Sequence, residues 1–281
     1  VRPFFPDPAM SGLTALVAGA GALPRHLAQA LRQAGEAPLV AALDGFAPAG
    51  LAPDLTFRVE RLVPFLRELE ARGVSRVTFA GAVSRPRLDP ALFDPMTAQM
   101  VPRLIGAMQA GDDATLRAVI GIFEDAGFAV AGLAEIAPAL VPGAGVLCGA
   151  PSDADRRDAA RAAAIVAALG AVDVGQGAVV AQGLCLAVEA LPGTDAMLDW
   201  VAATARRPDP AGAKGVLYKA PKPGQDRRID LPALGPASVR RAAAAGLAGI
   251  AWQAGGVVLL DRDAMLAEAA AAGLFLWARE P

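Results

Sequence analysis

The chain has 281 residues, and its 26 Lys and Arg against 28 Asp and Glu leave a formal net charge of −2 with no long basic run, which argues against a nucleic-acid partner. A single histidine excludes His₂ and His₃ zinc sites, and the two cysteines, Cys148 and Cys185, lack metal-ligand spacing and read as reduced thiols. A hydrophobic fraction of 54% allows a sizeable core, the length predicts two domains, and no uncharged apolar run reaches the length of a membrane span.

Residues 1–11 hold three prolines and no apolar core, so they read as neither a signal nor a transit peptide but as a loose extension. Thr14 to Ala18 is the first predicted strand. Gly19-Ala20-Gly21-Ala22-Leu23-Pro24 follows, and a helix through Leu27 and Leu31 stops at Gly35. Pro38 to Leu43 and Leu55 to Val59 are further strands, the first closing on Asp44. Leu62 to Arg72 is a helix with Leu62, Phe65, Leu66 and Leu69 on one face. Arg76 to Ala80 is a strand running into Ser84-Arg85-Pro86. Strands alternating with helices predict an α/β, Rossmann-like parallel sheet with helices on both faces, over residues 1–143. Pro95 and Pro102 break the stretch from Ala91 to Ala110, Asp113 is a candidate helix cap, and Phe128 to Ala131 is a short strand.

Val141 to Asp155 contains two prolines and three glycines, so the linker is placed there, at 144–155, with 156–281 as a second, mixed α/β domain. There the predicted elements are a helix from Asp155 to Leu169, strands at Ala178 to Val180 and Leu184 to Ala187, and a helix from Asp195 to Ala205. A helix from Ser238, strands from Gly249 and Gly256, and a helix from Asp263 to Gly273 complete it.

The stretch from Lys214 to Pro232 stands out. It holds all three lysines, Lys214, Lys219 and Lys222, in a chain whose other basic residues are arginine, and also the only tyrosine, Tyr218. Lysine offers a point charge on a flexible stem where arginine offers a planar fork. Pro221, Pro223 and Gly224 break any helix and put Gln225 and Asp226 on a loop, with Arg228 and Asp230 just beyond. The plain alternative is an exposed charged turn. Carboxylates elsewhere (Asp112, Asp113, Asp173, Glu189, Asp195) lie near glycines or strand ends. Oxygen donors without imidazole or thiolate suit Mg²⁺ or Mn²⁺, and with the lysines they favour phosphoryl chemistry. The Gly19–Pro24 turn is either a phosphate contact at a helix N-terminus or simply a tight turn, because Pro24 replaces the third glycine of the dinucleotide fingerprint. His26, two residues into the helix, reads as structural or as an acid–base group.

In this order the motifs resemble the UDP-2,3-diacylglucosamine pyrophosphatases of the LpxI type. The resemblance rests on GAGALP, Ser84-Arg85-Pro86, Gly111-Asp112-Asp113, DVGQGAVV from Asp173, LAVEALPGTDAML from Leu186, KAPKPGQDRRIDLPALGP from Lys219, and AAGLAGIA from Ala244. It departs at Pro192, where the family usually has Glu. The resemblance implies hydrolysis of UDP-2,3-diacylglucosamine to UMP and 2,3-diacylglucosamine 1-phosphate (lipid X) in lipid A synthesis, with Mg²⁺ or Mn²⁺. It also implies a ligand held between the two domains and a homodimer touching the inner membrane transiently. Asp226 is the expected catalytic residue, binding the metal or positioning water, with Asp195 and Asp230 as further metal candidates. Gly19, Gly21, Leu23, Pro24, Gln176, Thr194, Lys219, Lys222, Gln225 and Arg228 are the expected substrate contacts. The Ala- and Arg-rich composition points to a bacterial cytoplasm.

Two rival readings remain. A non-catalytic carrier of a nucleotide-sugar lipid would need no metal. An NAD-dependent oxidoreductase would need a complete glycine fingerprint and an acid or base beside the nicotinamide.

Overall fold

The computed structural model describes residues 12–83 and 88–281, the side chains of Ala110 and Asp112 excepted. The extension 1–11 and the motif Ser84-Arg85-Pro86 lie outside the described residues. The chain divides into two compact units, Val1–Ala137 and Pro138–Pro281.

The first unit runs β1 (Leu13–Ala18), α1 (Leu23–Gln33), β2 (Leu39–Leu43), β3 (Leu55–Phe57), α2 (Leu62–Ala71), β4 (Val74–Ala80), α3 (Pro95–Ala98), α4 (Val101–Ala110), α5 (Asp112–Asp125), β5 (Ala129–Val130) and α6 (Leu133–Ile136). The strands form one parallel sheet in the order β3-β2-β1-β4-β5. Every residue of β2 is buried, as an uninterrupted apolar run requires in a sheet covered on both faces. Aromatic rings fill the core: Phe57 stacks on Phe65 with centroids 3.9 Å apart, and Phe123 meets Phe79 edge-on at 5.0 Å. Arg76 on β4 donates to Thr14 on β1 at 3.0 Å and to Glu36, after α1, at 2.6 Å. That Arg76 hydrogen bond holds the Glu36 carboxyl below its usual value, against the opposing pull of burial.

Asp113 does not cap α5. The helix begins at Asp112, and Gly111, with a φ of 123°, makes the break from α4. Asp113 instead pairs with Arg117 one turn on.

The second unit runs β6 (Gly145–Cys148), α7 (Asp153–Ala171), β7 (Gly177–Ala181), β8 (Leu184–Val188), α8 (Gly193–Thr204), β9 (Val216–Lys219), β10 (Ala233–Leu234), α9 (Pro236–Ala244), β11 (Gly249–Gln253), β12 (Val258–Leu259), α10 (Arg262–Ala272) and β13 (Phe275–Arg279). Its main sheet is mixed, in the order β6-β13-β11-β9-β7-β8, with β9, β11 and β13 parallel at the centre. β6 lies inside the segment read as a linker and pairs with β13. The sequence reading missed β13, although it sits between β11 and β6.

Helix α7 covers one face of this sheet, meeting Val216, Tyr218, Ala251 and Phe275 through Ala159, Ala162 and Val166. Helices α8, α9 and α10 cover the other, meeting Leu217, Ile250, Trp252 and Leu276 through Leu198, Val239 and Met265. A capping box between Ser152 and Asp155 starts α7. Asp158, buried on α7, accepts the Gln182 and Gly183 backbone N–H groups at 2.9 and 2.7 Å, so the helix grips the β7–β8 turn.

Candidate active site

Alternation along β9 sends successive side chains to opposite faces of the sheet. Val216 and Tyr218 face α7, and Leu217 faces the α8–α10 layer, which puts Lys219 on that second face as well. Lys219 also pairs in register with Trp252, which is fully buried. Only 4% of Lys219 is exposed, so the plain reading of this segment as an exposed charged turn fails at its first lysine after β9 begins.

A buried ammonium needs compensation. Lys219 Nζ donates to Thr194 Oγ1 at 2.5 Å and lies 3.4 Å from Glu189 Oε2. Thr194 in turn donates its hydroxyl proton to Glu189 Oε2 at 2.9 Å. Three segments meet here: the end of β9, the start of α8, and the residue just after β8. The glycines of Asp173-Val174-Gly175-Gln176-Gly177 leave room for this carboxylate. A Cβ on Gly175 would run into the Glu189 backbone carbonyl, and one on Gly177 into Glu189 Oε2.

Past Lys219 the ladder ends. Ala220 N–H donates to the Gln176 carbonyl at 3.1 Å, and then Pro221 and Pro223 remove the next donors. The Lys222 N–H donates to Gln225 Oε1 at 2.9 Å, and the Gln225 amide donates to Asp230. Lys222 Nζ reaches Asp173 Oδ1 at 2.5 Å. Asp226 closes a local turn, accepting the Arg228 N–H at 3.0 Å, and holds the Arg228 guanidinium through both carboxylate oxygens at 3.0 and 2.7 Å. The Gln176 side-chain oxygen is buried and has no hydrogen-bond partner among the described residues. Beside the loop, burial pushes the Tyr218 phenol above its usual value, and the neighbouring Arg279 guanidinium pulls it back.

Lys219, Thr194, Gln176, Lys222, Gln225, Asp226, Arg228 and Asp230 are thus joined through the end of β9 and the loop it enters. Asp195 is engaged elsewhere: it is exposed on α8, with Arg241 of α9 at 3.5 Å. Among the described residues no three His, Cys, Asp or Glu side chains form a metal cage. Asp226 and Asp230 are the carboxylates this loop could offer a hard cation, whose shell substrate phosphate and water would complete.

Gly19, Gly21, Leu23 and Pro24 belong to the first unit, at the β1–α1 turn. A Cβ on Gly19 would strike the Ala82 carbonyl at 2.6 Å, so this glycine lets the turns after β1 and β4 touch. Ala20 and Ala82 exchange backbone hydrogen bonds at 2.9 Å. The Gly21 carbonyl accepts the Ala49 N–H, Leu23 is half-buried, and Pro24 lies on the buried face of α1. No side chain caps α1, which leaves its first-turn N–H groups to other partners. Asp44 is paired with Arg58 at 2.6 Å.

Family models for the LpxI N-terminal domain and the LpxI C-terminal domain match residues 13–140 and 143–277. The chain is also 41% identical over 271 residues to the UDP-2,3-diacylglucosamine pyrophosphatase LpxI of Caulobacter vibrioides, covering 95% of this chain and 97% of that protein. The chain belongs to the LpxI family. Within the LpxI C-terminal domain, Pro192 stands at the cap of α8, where the pattern noted above has Glu. Glu189, three residues earlier, is the carboxylate that reaches Lys219. Sequence reasoning had picked out Glu189 and Asp173 as possible metal donors, and Glu189 also as carrying some of the charge of the absent Glu; in this chain they are the counter-charges of Lys219 and Lys222. Arg279 and Gln253 were missed altogether, because only strand pairing carries them to the Lys222 loop.

Proposed function

We propose that this chain hydrolyses the pyrophosphate of UDP-2,3-diacylglucosamine, adding water across one P–O bond to release UMP and 2,3-diacylglucosamine 1-phosphate. The observation that carries this reading is the near-full-length identity to a pyrophosphatase of that name, in a chain that keeps a buried lysine beside a carboxylate-bearing loop. Pyrophosphate cleavage demands charge neutralisation more than covalent chemistry. Lys219, held by Thr194 and Glu189, supplies a fixed cation, and Lys222 and Arg228 supply more mobile ones. Asp226 orients the attacking water or holds a divalent ion, with Asp230 one turn away on the same loop. Mg²⁺ or Mn²⁺ bound there would supply Lewis-acid polarisation of phosphoryl oxygens. Gln176, Gln225 and the uncapped first turn of α1 are the further candidates for substrate contacts. In this reading the protein works as a homodimer in the cytoplasm, meeting its lipid substrate transiently at the inner membrane. No helix among the described residues is long and apolar enough to cross a membrane.

The test is UMP release from UDP-2,3-diacylglucosamine with Mg²⁺, with EDTA, and with Asp226→Ala. Metal-dependent release that collapses in a variant still able to bind substrate supports the reading. Binding without release by the wild type under any divalent ion would replace it with the carrier.

A further inference from the structure

On the α7 face of the second sheet, opposite Lys219, a cavity of about 250 Å³ opens at the carboxyl ends of β9, β11 and β13. Ligands of open α/β sheets characteristically bind at this end of the strands. Lys222, Arg227 and Arg279 line it together with Tyr218 and Gln253, and no Asp or Glu does. Lys222 has a counter-charge in Asp173. Among the described residues neither Arg227 nor Arg279 has an acidic partner, and Arg279 instead sits against the Tyr218 hydroxyl. Ala163 and Ala167 of α7 form the facing wall, and their small side chains leave the space open. Two guanidinium groups with no Asp or Glu partner among the described residues, a phenol and a carboxamide around one hollow are the donor set that recognises a phosphate group.

We propose that this cavity is a phosphate-recognising site built on Arg227 and Arg279, on the face of the sheet opposite the Lys219–Thr194–Glu189 cluster and sharing Lys222 and Gln225 with the loop that the proposed function gives to the substrate. Its ligand is either the phosphate of a nucleotide or free inorganic phosphate.

Tyr218 is the only tyrosine in the chain, so a protein labelled on tyrosine gives a single ring signal from the wall of this cavity. The experiment titrates that signal with UMP and, separately, with inorganic phosphate, and measures both affinities by calorimetry. A saturable shift is expected, weakened at least tenfold in Arg279→Gln and weakened also in Arg227→Gln. Ala167→Phe fills the hollow without changing any charge and should abolish the shift. UMP binding much more tightly than phosphate assigns the site to a nucleotide, and equal affinities assign it to phosphate alone. The proposal is overturned if neither probe shifts the signal, or if the shift survives unchanged in both Arg279→Gln and Ala167→Phe. The titration contains no pyrophosphate substrate, so its failure and a failure of hydrolysis are read separately.

Discussion

Lys219 Nζ donates to Thr194 Oγ1 at 2.5 Å across 25 residues of sequence, and the same hydroxyl donates onward to Glu189. Thr194 therefore acts on Lys219 as a positioning residue: its oxygen is already shared between an ammonium and a carboxylate. Thr194→Val keeps the shape and removes the bridge. A hydrogen bond to a charged group is worth about 1.5–3 kcal/mol, so kcat/KM should fall about 10- to 100-fold. Thr194→Ser should recover most of it. Steady-state kinetics on the two variants checks this, and equal losses in both would refute the bridging role.

Glu189 is the counter-charge of a lysine with almost no solvent access. Glu189→Ala strands that ammonium in the interior, and breaking one side of a buried pair costs about 3–5 kcal/mol. The denaturant midpoint should drop accordingly. Glu189→Gln retains an acceptor for Thr194 and should destabilise less.

Gly175 and Gly177 face the same glutamate but oppose different atoms. Gly177→Ala meets the end of a flexible side chain, so it should displace the carboxylate and lower activity while leaving the fold largely intact. Gly175→Ala meets backbone and should cost about 1–3 kcal/mol of stability, as overpacking does. Thermal melts alongside activity separate the two outcomes.

Asp226 holds Arg228 through both oxygens. Asp226→Asn keeps much of that geometry but removes the negative charge. UMP release should fall by several orders of magnitude while the melting temperature barely moves. A variant retaining near-normal release would shift the water-orienting or metal-holding role to Asp230.

In the first unit, Glu36 is tied to Arg76 and Thr14 and titrates below its ordinary value of 4.5. A carboxyl whose folded pKa is depressed contributes stability that is fully present above its unfolded pKa and lost as pH falls through the folded one. The melting temperature should therefore decline as pH drops below about 4.5. Glu36→Gln should lower stability at neutral pH and flatten that acid limb, which melts across an acid pH series will show.

The β1, β2 and β4 strands were legible as short apolar runs, and the α1 and α2 helices because each carries its own period and its own stop, Gly35 after α1 and Gly73 after α2. β6 was hidden inside a Pro- and Gly-rich segment. β13 was hidden because its apolar run follows the glycine that ends α10 and has no recognised turn after it. Both are strands by virtue of their partners, β6 pairing with β13 and β13 with β11. Asp113 was misread as a cap because a glycine with positive φ, Gly111, performed the break two positions before the acid.

Residue type and local order thus determined the α/β class, the exclusion of His₂ and His₃ zinc sites by a single histidine, and the loop that Pro221, Pro223 and Gly224 force after Lys219. Tertiary structure alone decided which polar side chains meet: Lys219 with Glu189 through Thr194, Lys222 with Asp173, Asp195 with Arg241, and Arg279 with the neutral Tyr218 phenol. The physical reason is one of range. Periodicity, prolines and glycines act within a turn or a strand, whereas these side chains come from segments five to 61 positions apart, and sheet register and helix packing set their partners.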